Sequence, residues 1–387
     1  MAAIKRIWRG RIVTPHEVLE NGVLLLEGGR IAAIDSGGAC RCGPEDIDAT
    51  GMWVLPGIID CHSDAIEREL QPRPNSRFPL TMAFYELERK LAGSGITTIF
   101  HSLSLFNEEG GNWLRSNEAV RSMVDAIQHL GRRRSLIKHK IHIRFEINNI
   151  AATPMLEAML LARQIDEVSF MDHTPGQGQF RDLELQKQIY QELYNLTEGE
   201  VNELLARRCR MATVAADDLQ RLADLAYRQS IPLASHDDDS TDRLALIKAW
   251  HAAISEFPVD LEVALAARQN GLYVVMGAPN VILGRSHSNN LSALQALQAG
   301  AVDILCSDYY PPALLYAVFQ IYRLGYPMHQ AVNMVSLHAA EALGLAAATG
   351  SIEAGKAADL LLIREYEQRP VLEKVLVDGK TVYQLDY

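Results

Sequence analysis

Short apolar runs separated by longer segments of helical period dominate the chain. Near the start, Ile7 to Val13, Val23 to Glu27 and Ile31 to Ile34, broken at Gly28-Gly29, predict short strands joined by tight turns. The end repeats this texture: Ala358 to Ile363, Val375 to Val377, a hairpin turn at Asp378-Gly379, then Thr381 to Tyr383. These two ends are expected to pair. Between them lie eight apolar strand candidates: Val54 to Asp60, Ile96 to His101, Ile141 to Ile147, Val168 to Asp172, Ile231 to His236, Ile254 to Pro258, Leu272 to Gly277 and Val302 to Ser307. Eight strand–helix units predict an α/β fold, a (β/α)8 TIM barrel over residues 55–348. Residues 1–54 plus 349–387 are expected to form a small β-sandwich domain from both termini. The longest gap, His173 to Ile231, holds helix-like runs at Asp182 to Leu196 and Asp217 to Arg228, and predicts an elaborated excursion over the active-site face.

Composition narrows the class. Of 387 residues 48% are hydrophobic, yet no run reaches the length of a membrane span and the start carries no apolar signal segment, so a cytoplasmic protein without a membrane partner is expected. The five cysteines, Cys40, Cys42, Cys61, Cys209 and Cys306, show neither a disulfide framework nor zinc spacing; they read as reduced thiols, with Cys40 and Cys42 on a surface loop. A net charge of −11 argues against a nucleic-acid partner, though a phosphorylated ligand needs only a local cluster of cations. The basic run Arg132-Arg133-Arg134, with Lys138 and Lys140, reads as a solvated helix end or loop.

Candidate chemistry lies at the strand ends, where barrels of this kind place their active sites. The first strand ends at His62 and Asp64, two apart and so on one side of the strand. The third ends near Glu146, the fourth at His173, the fifth at His236 and the eighth at Asp308. Alternation in the third strand sets Ile141, Ile143, Phe145 and Ile147 towards the helices and His142, Arg144 and Glu146 towards the interior. Taken alone, Glu146 fits an internal ion pair with Arg144 as well as it fits metal binding; the five other candidate ligands favour the metal. Two divalent ions are neutralised by Asp64, Glu146, Asp308 and one hydroxide, whereas a single ion would leave the site too acidic. Mixed His and carboxylate donors suit Zn²⁺, Mn²⁺ or Fe²⁺ better than Ca²⁺ or Mg²⁺.

The Pro-Gly-Ile-Ile-Asp opening at Pro56 to Asp60, the strand-end ligands and the return segment Gly350 to Leu360 together resemble the amidohydrolase superfamily over nearly the whole chain. Within it, His62-Ser63-Asp64, Gln71 to Pro74, Met171 to Gln177, Ala234 to Asp238, Met276 to Asn280 with Ser286 to Ser288, and Ser307-Asp308-Tyr309 are similar to the PhnM branch, which serves the carbon–phosphorus lyase pathway. The resemblance implies a metal-dependent hydrolase acting on a phosphoric anhydride. Its substrate would be a small phosphorylated ribose phosphonate, α-D-ribose 1-methylphosphonate 5-triphosphate, cleaved to the 5-phosphate and pyrophosphate. It makes Asp308 the base that deprotonates water, and Arg73 and His287 the phosphate contacts, with Asn280, Ser286 and Ser288 as further donors. Arg68, Arg77, Arg181 and Arg285 fall on the same rim loops. Asp237, Asp238 and Asp239 are too many acids beside a polyanion, unless one orients His236 or another cation binds.

Three features depart from the superfamily pattern. The second position of the usual His-x-His is Asp64, Glu146 stands where a carboxylated Lys often bridges the ions, and His101 stands where the branch suggests an acid. For His101 an extra ligand, a substrate contact and a simple rim histidine all remain open. Two rival functions are an amide or cyclic-amide hydrolase of deacetylase or hydantoinase type, and a metal-free, non-catalytic assembly protein. A homo-oligomer is compatible with the sequence, which does not encode oligomeric state legibly.

Overall fold

Sixteen strands form two eight-stranded sheets in the computed structural model, which describes residues 5–37, 43, 45–73, 76–106, 112–178, 183–194, 196–286 and 290–386. The chain divides into two units. The first comprises Met1–His101, Asp125–Lys140 and Ile304–Tyr387, the second Ser102–Val124 and Ile141–Asp303.

In the first unit, both termini share one sheet. Strands β1 (Lys5–Val13), β2 (Val18–Glu27), β3 (Arg30–Asp35), β4 (Ile47–Asp48) and β5 (Trp53–Pro56) come from the start, and β14 (Leu360–Tyr366), β15 (Arg369–Val377) and β16 (Lys380–Gln384) from the end. Their order is β16-β15-β14-β5-β1-β2-β3, with β4 beside β1. Period-two alternation turns Leu24 and Leu26 of β2 inward, where they pack with Ile7, Ile12, Ile31, Val54, Leu360, Leu362 and Leu376. Fully burying each such side chain stabilises the unit by about 1.5–3 kcal/mol. The expected pairing of the two ends is made by β14, antiparallel to β5 with Leu361 opposite Leu55. Asp378 and Gly379, at φ 47° and 72°, form the turn between β15 and β16. Positive φ at both positions is the backbone that such two-residue hairpins require.

The second sheet is parallel and follows chain order: β6 (Ile58–Ser63), β7 (Ile96–Leu105), β8 (Lys138–Glu146), β9 (Glu167–Met171), β10 (Leu233–His236), β11 (Ile254–Glu256), β12 (Tyr273–Gly277) and β13 (Ile304–Cys306). Within the first unit β13 returns beside β6, joined by a parallel bridge between Ser63 and Asp308. All eight barrel strands overlap the runs that the hydrophobic pattern gives, though β7 continues to Leu105 past the expected end at His101 and the first run differs in kind. The run expected as a single strand from Val54 to Asp60 is two strands in two different sheets. They change over at Gly57, whose N–H donates to Asp359 O at 2.8 Å. The apolar run is unbroken across the junction, so periodicity could not show it. A Cβ built on Gly57 would lie 2.1 Å from Thr97 Oγ1 and 2.8 Å from Thr97 Cβ, so only glycine fits here. Gly57→Ala is expected to cost about 1–3 kcal/mol of stability, read as a lower denaturation midpoint; an unchanged midpoint would mean that β7 yields freely.

In the second unit the excursion after β9 contains helices Leu183–Tyr194, Glu198–Cys209 and Ala216–Arg228. The first and third match the expected runs. The middle one starts at a capping box in which Glu200 N donates to Thr197 Oγ1 and Thr197 N donates to Glu200 Oε2. Tyr190, Val201 and Leu205 give the first two helices a small core of their own. The excursion is fastened to the strand layer where Val214 N donates to Ile147 O at 2.7 Å. Arg132, Arg133 and Arg134 are exposed after helix Asn117–Gly131, as a solvated helix end should be. Among the described residues no helix is long and apolar enough to cross a membrane. Cys61, Cys209 and Cys306 are free thiols, while Cys40 and Cys42 lie outside the described residues.

Candidate metal centre

In the first unit the structure brings His62, Asp64 and Asp308 together through their backbones. His62 is 1% exposed near the end of β6, its O accepts from Asp308 N at 3.0 Å, and Asp64 N donates to Asp308 O at 2.8 Å. Asp308 takes a left-handed backbone, φ 56°, directly after Ser307, whose Oγ lies 2.8 Å from Ser63 Oγ. A positive φ on a non-glycine residue is uncommon; here the paired β6 and β13 hold it. Below His62, buried Asp60 accepts from Ser307 N at 2.9 Å. Burial outweighs the Ser307 hydrogen bonds and pushes its carboxyl up to about 7.

His101 pairs through its backbone with Ser63, between His62 and Asp64, but its side chain is engaged elsewhere. The second barrel strand continues to Leu105, so His101 lies mid-strand rather than at its end. Its Nε2 is 2.9 Å from His139 Nδ1, and His139 Nε2 is 3.1 Å from Glu88 Oε1 on helix Leu80–Gly93. The histidine joins a strand-to-helix relay, while its neighbour Ser102 bonds to His142 in the second unit. Arg68 lies over the Tyr309 ring at 5.3 Å, and Arg73 is exposed in the following loop.

In the second unit His173 and His236 meet around a residue not counted as a ligand from sequence, Asp237, with Glu146 bonded to His173. The inward face expected for β8 is observed. Glu146 is fully buried and accepts from His173 N at 2.9 Å through Oε1 and pairs with His173 Nδ1 at 2.6 Å through Oε2. His173 Nε2 then lies 3.6 Å from Asp237 Oδ2, which is 2.9 Å from His236 Nδ1. Arg144 Nη2 lies 3.2 Å from His236 Nε2. A guanidinium only donates, so that nitrogen accepts and a neutral His236 carries its proton on Nδ1, from which a metal ion bound there would displace it. Asp237 also has a positive φ, 54°, which turns the chain back at the strand end. Its neighbours serve other purposes: Asp238 accepts from Ser235 and Ser255 hydroxyls at 2.6 and 2.5 Å, and Asp239 accepts from Gly178 N. The Phe106 ring meets His173 edge-on at 6.1 Å and carries Arg208 over its face at 5.1 Å, so the excursion reaches the same corner.

His173, His236 and Asp237 each offer one ligand atom, all within 4.8 Å of one another, and so could hold a metal ion. Separations of 2.9 and 3.6 Å suit donors gathered about one ion at roughly 2.0–2.2 Å. Burial opposes a charge on His173, but Glu146 and Asp237 outweigh it and raise the imidazolium pKa to about 9. Burial likewise opposes charge on Asp237, and the two imidazoles overcome it to hold the carboxyl below its ordinary range. Burial lowers the His236 pKa, with Asp237 pulling the other way. A cation therefore has to displace the His173 proton. The competition is present below pH 9 and absent above it, so apparent affinity for a divalent ion should rise about tenfold per pH unit towards that value. Metal titrations across pH would check this; a flat profile would exclude His173 as a ligand.

Asn280, a sequence candidate for substrate, has both ends of its amide engaged, Nδ2 donating to Leu291 O at 3.2 Å and Oδ1 accepting from Ala293 N at 3.0 Å. Ser286 is half-buried and lines a small cavity with Arg285 and Asn290. His287, Ser288 and Arg181 lie outside the described residues.

An amidohydrolase family model matches residues 203–382. The chain is 33% identical over 378 residues to the α-D-ribose 1-methylphosphonate 5-triphosphate diphosphatase of Escherichia coli (strain K12), covering 96% of this chain and 98% of that one. It belongs to the PhnM branch of the amidohydrolase superfamily. A more distant relative, the imidazolonepropionase of Hyphomonas neptunium, is 25% identical over 397 residues, 92% of each chain. A prolidase crystal structure shares the fold at TM-score 0.67 and 14% identity, covering 99% of this chain and 100% of that one. This superfamily protein is accordingly a hydrolase of a class that generally uses divalent metal ions. The donor cluster at His173, His236 and Asp237 fits such an ion.

Proposed function

We propose that the protein is a diphosphatase that cleaves α-D-ribose 1-methylphosphonate 5-triphosphate to the 5-phosphate and pyrophosphate. The observation that carries this reading is the 33% identity to the Escherichia coli enzyme over 96% of the chain. Having Asp64, rather than a second His, beside His62 supports it. The proposed ligands for two divalent ions, Zn²⁺ or Mn²⁺ with Fe²⁺ also compatible, are His62, Asp64, Glu146, His173, His236 and Asp308, with Asp237 added. Their support is a common position at the C-terminal ends of parallel strands. Bound ions would supply Lewis acidity to the phosphoryl oxygens and lower the pKa of water.

The remaining chemistry belongs to side chains. Asp308 orients the attacking water and takes its proton, from a backbone fixed on both sides by His62 O and Asp64 N. Glu146 holds Nδ1 of His173, leaving Nε2 towards Asp237. Pyrophosphate leaves readily once its charge is compensated, so Arg73 and His287 count for more than a strong general acid. Ser286 and Ser288 are proposed donors to the phosphonate or ribose; Asn280 is better read as structural, tied to Leu291 and Ala293.

Phosphorus NMR of the products tests the proposal: pyrophosphate and the 5-phosphate should appear in equal amounts, and stepwise orthophosphate would overturn it. The imidazolonepropionase relative, 25% identical, favours a second reading, a cyclic-amide hydrolase on the same barrel. Parallel assays with hydantoins and N-acetyl sugars separate the two, since amide turnover without pyrophosphate release would establish the second.

A further inference from the structure

Beneath the donors at His173, His236 and Asp237, the second unit carries another group of buried polar side chains. His142 stands on the inward face of β8, four residues before Glu146, and Glu167 of β9 is its partner in register, so both point the same way. Ser102, Ser169 and Glu256 join them, and all five are fully buried. Arg144 stands between the two groups along β8, its Nη2 against His236 Nε2. Barrel interiors are ordinarily filled by branched apolar side chains, so two acids at this depth call for a cause.

Glu167 is the residue to account for. Both its carboxylate oxygens are buried without a hydrogen-bond partner, and burial together with repulsion from Glu256 raises its pKa well above the ordinary carboxylate value. Taking up a proton does not complete it. His142 Nδ1 lies 3.6 Å from Glu167 Oε2, too far for an O–H to reach. A bridging water fits no better, since two hydrogen bonds of about 2.8 Å across that gap would meet at roughly 80°. A metal ion does fit. Ser102 Oγ is 3.3 Å from the same nitrogen, and donors 3.3 to 3.6 Å apart around an ion about 2.1 Å away subtend roughly 105–120°, the tetrahedral range. The hydroxyl rotates to offer a lone pair. With Nδ1 on the ion, the His142 ring proton sits on Nε2, 2.9 Å from Ser169 Oγ and 4.0 Å from Glu256 Oε2. A ligand imidazole whose other nitrogen faces such partners has its tautomer fixed for the metal.

We propose that this interior group is a further metal site, for one divalent transition-metal ion held by Glu167 Oε2, His142 Nδ1 and Ser102 Oγ. Glu167 and Glu256 together offset its charge. Few donors, one of them an imidazole, suit zinc better than calcium or magnesium. The ion is structural, because a fully buried site admits no substrate. Its presence does not depend on which bond the reaction centre cleaves.

Crystals of the zinc-loaded, full-length protein test this, with diffraction recorded on both sides of the zinc absorption edge. An anomalous peak is expected about 2.1 Å from both Glu167 Oε2 and His142 Nδ1, whether or not one also appears at His173, His236 and Asp237. No peak beside Glu167 would overturn the interior site and leave the reaction centre untouched. Zinc content after dialysis is the second measure. Glu167→Gln keeps the shape of the side chain and should weaken zinc binding at this position by at least about 100-fold, releasing an ion that Asp237→Ala retains. Zinc content unchanged by Glu167→Gln would remove Glu167 as a ligand and the site with it. Should that variant fail to fold, the anomalous map of the unaltered protein decides alone.

Discussion

Asp308→Asn is expected to lower kcat by about 10²–10⁴-fold while leaving the fold intact. The amide keeps the shape of the side chain, and the three backbone features that hold this residue do not involve the carboxylate: the bond to His62 O, the bond from Asp64 N and the bridge to Ser63. What disappears is the capacity to take a proton from water. A structural role predicts a different pattern, in which the denaturation midpoint falls and KM rises with kcat little changed. Following the pyrophosphate product by phosphorus NMR separates these outcomes. Retention of more than about a tenth of the activity would remove Asp308 from the role of base.

Asp237→Ala should weaken divalent metal binding by at least about 100-fold, since it removes the one oxygen donor between two imidazoles. It should also lower the His173 pKa, because Asp237 is one of the two carboxylates that hold that proton against burial. The two neighbouring acids are controls of contrasting kind. Asp239→Asn disturbs the bond from Gly178 N and a part-exposed ion pair with Arg243 at 3.8 Å, neither of them to the imidazoles, and should leave metal affinity within a few-fold of the parent. Asp238→Asn disturbs a carboxylate clamped by Ser235 and Ser255, so its effect should fall on stability. Metal content after dialysis, with a denaturation curve for each variant, distinguishes the three; equal loss from all of them would show that the turn matters and Asp237 does not.

Much of this was readable from the sequence because strands in a parallel barrel advertise themselves twice, by an apolar run and by the polar residue that ends it. His62, His173 and His236 stood out for that reason, and the alternation of Ile141 to Ile147 correctly turned Glu146 inward. The failures share a cause: each depends on backbone direction, which side-chain chemistry does not report. Gly57 separates two sheets inside an unbroken apolar run. His101 looked terminal because the apolar run seemed to stop there, yet β7 continues to Leu105 through Ser102 and Ser104. Asp237 was hidden in a triplet of acids, and only its positive φ singles it out to face both imidazoles. The helix Glu198–Cys209 was legible in principle, from Thr197 and Glu200 at capping-box spacing.

The pairing of β5 with β14 has a consequence for how the protein is made. A ribosome releases β5 about 300 residues before its antiparallel partner, so through most of synthesis one side of that strand is an open hydrogen-bonding edge. Because β5 passes through Gly57 directly into the strand that carries His62, the first metal-type ligand stays attached to an unfinished sheet until β14 emerges. Removing β14 would therefore unsettle the strand that carries His62 from about 300 residues away.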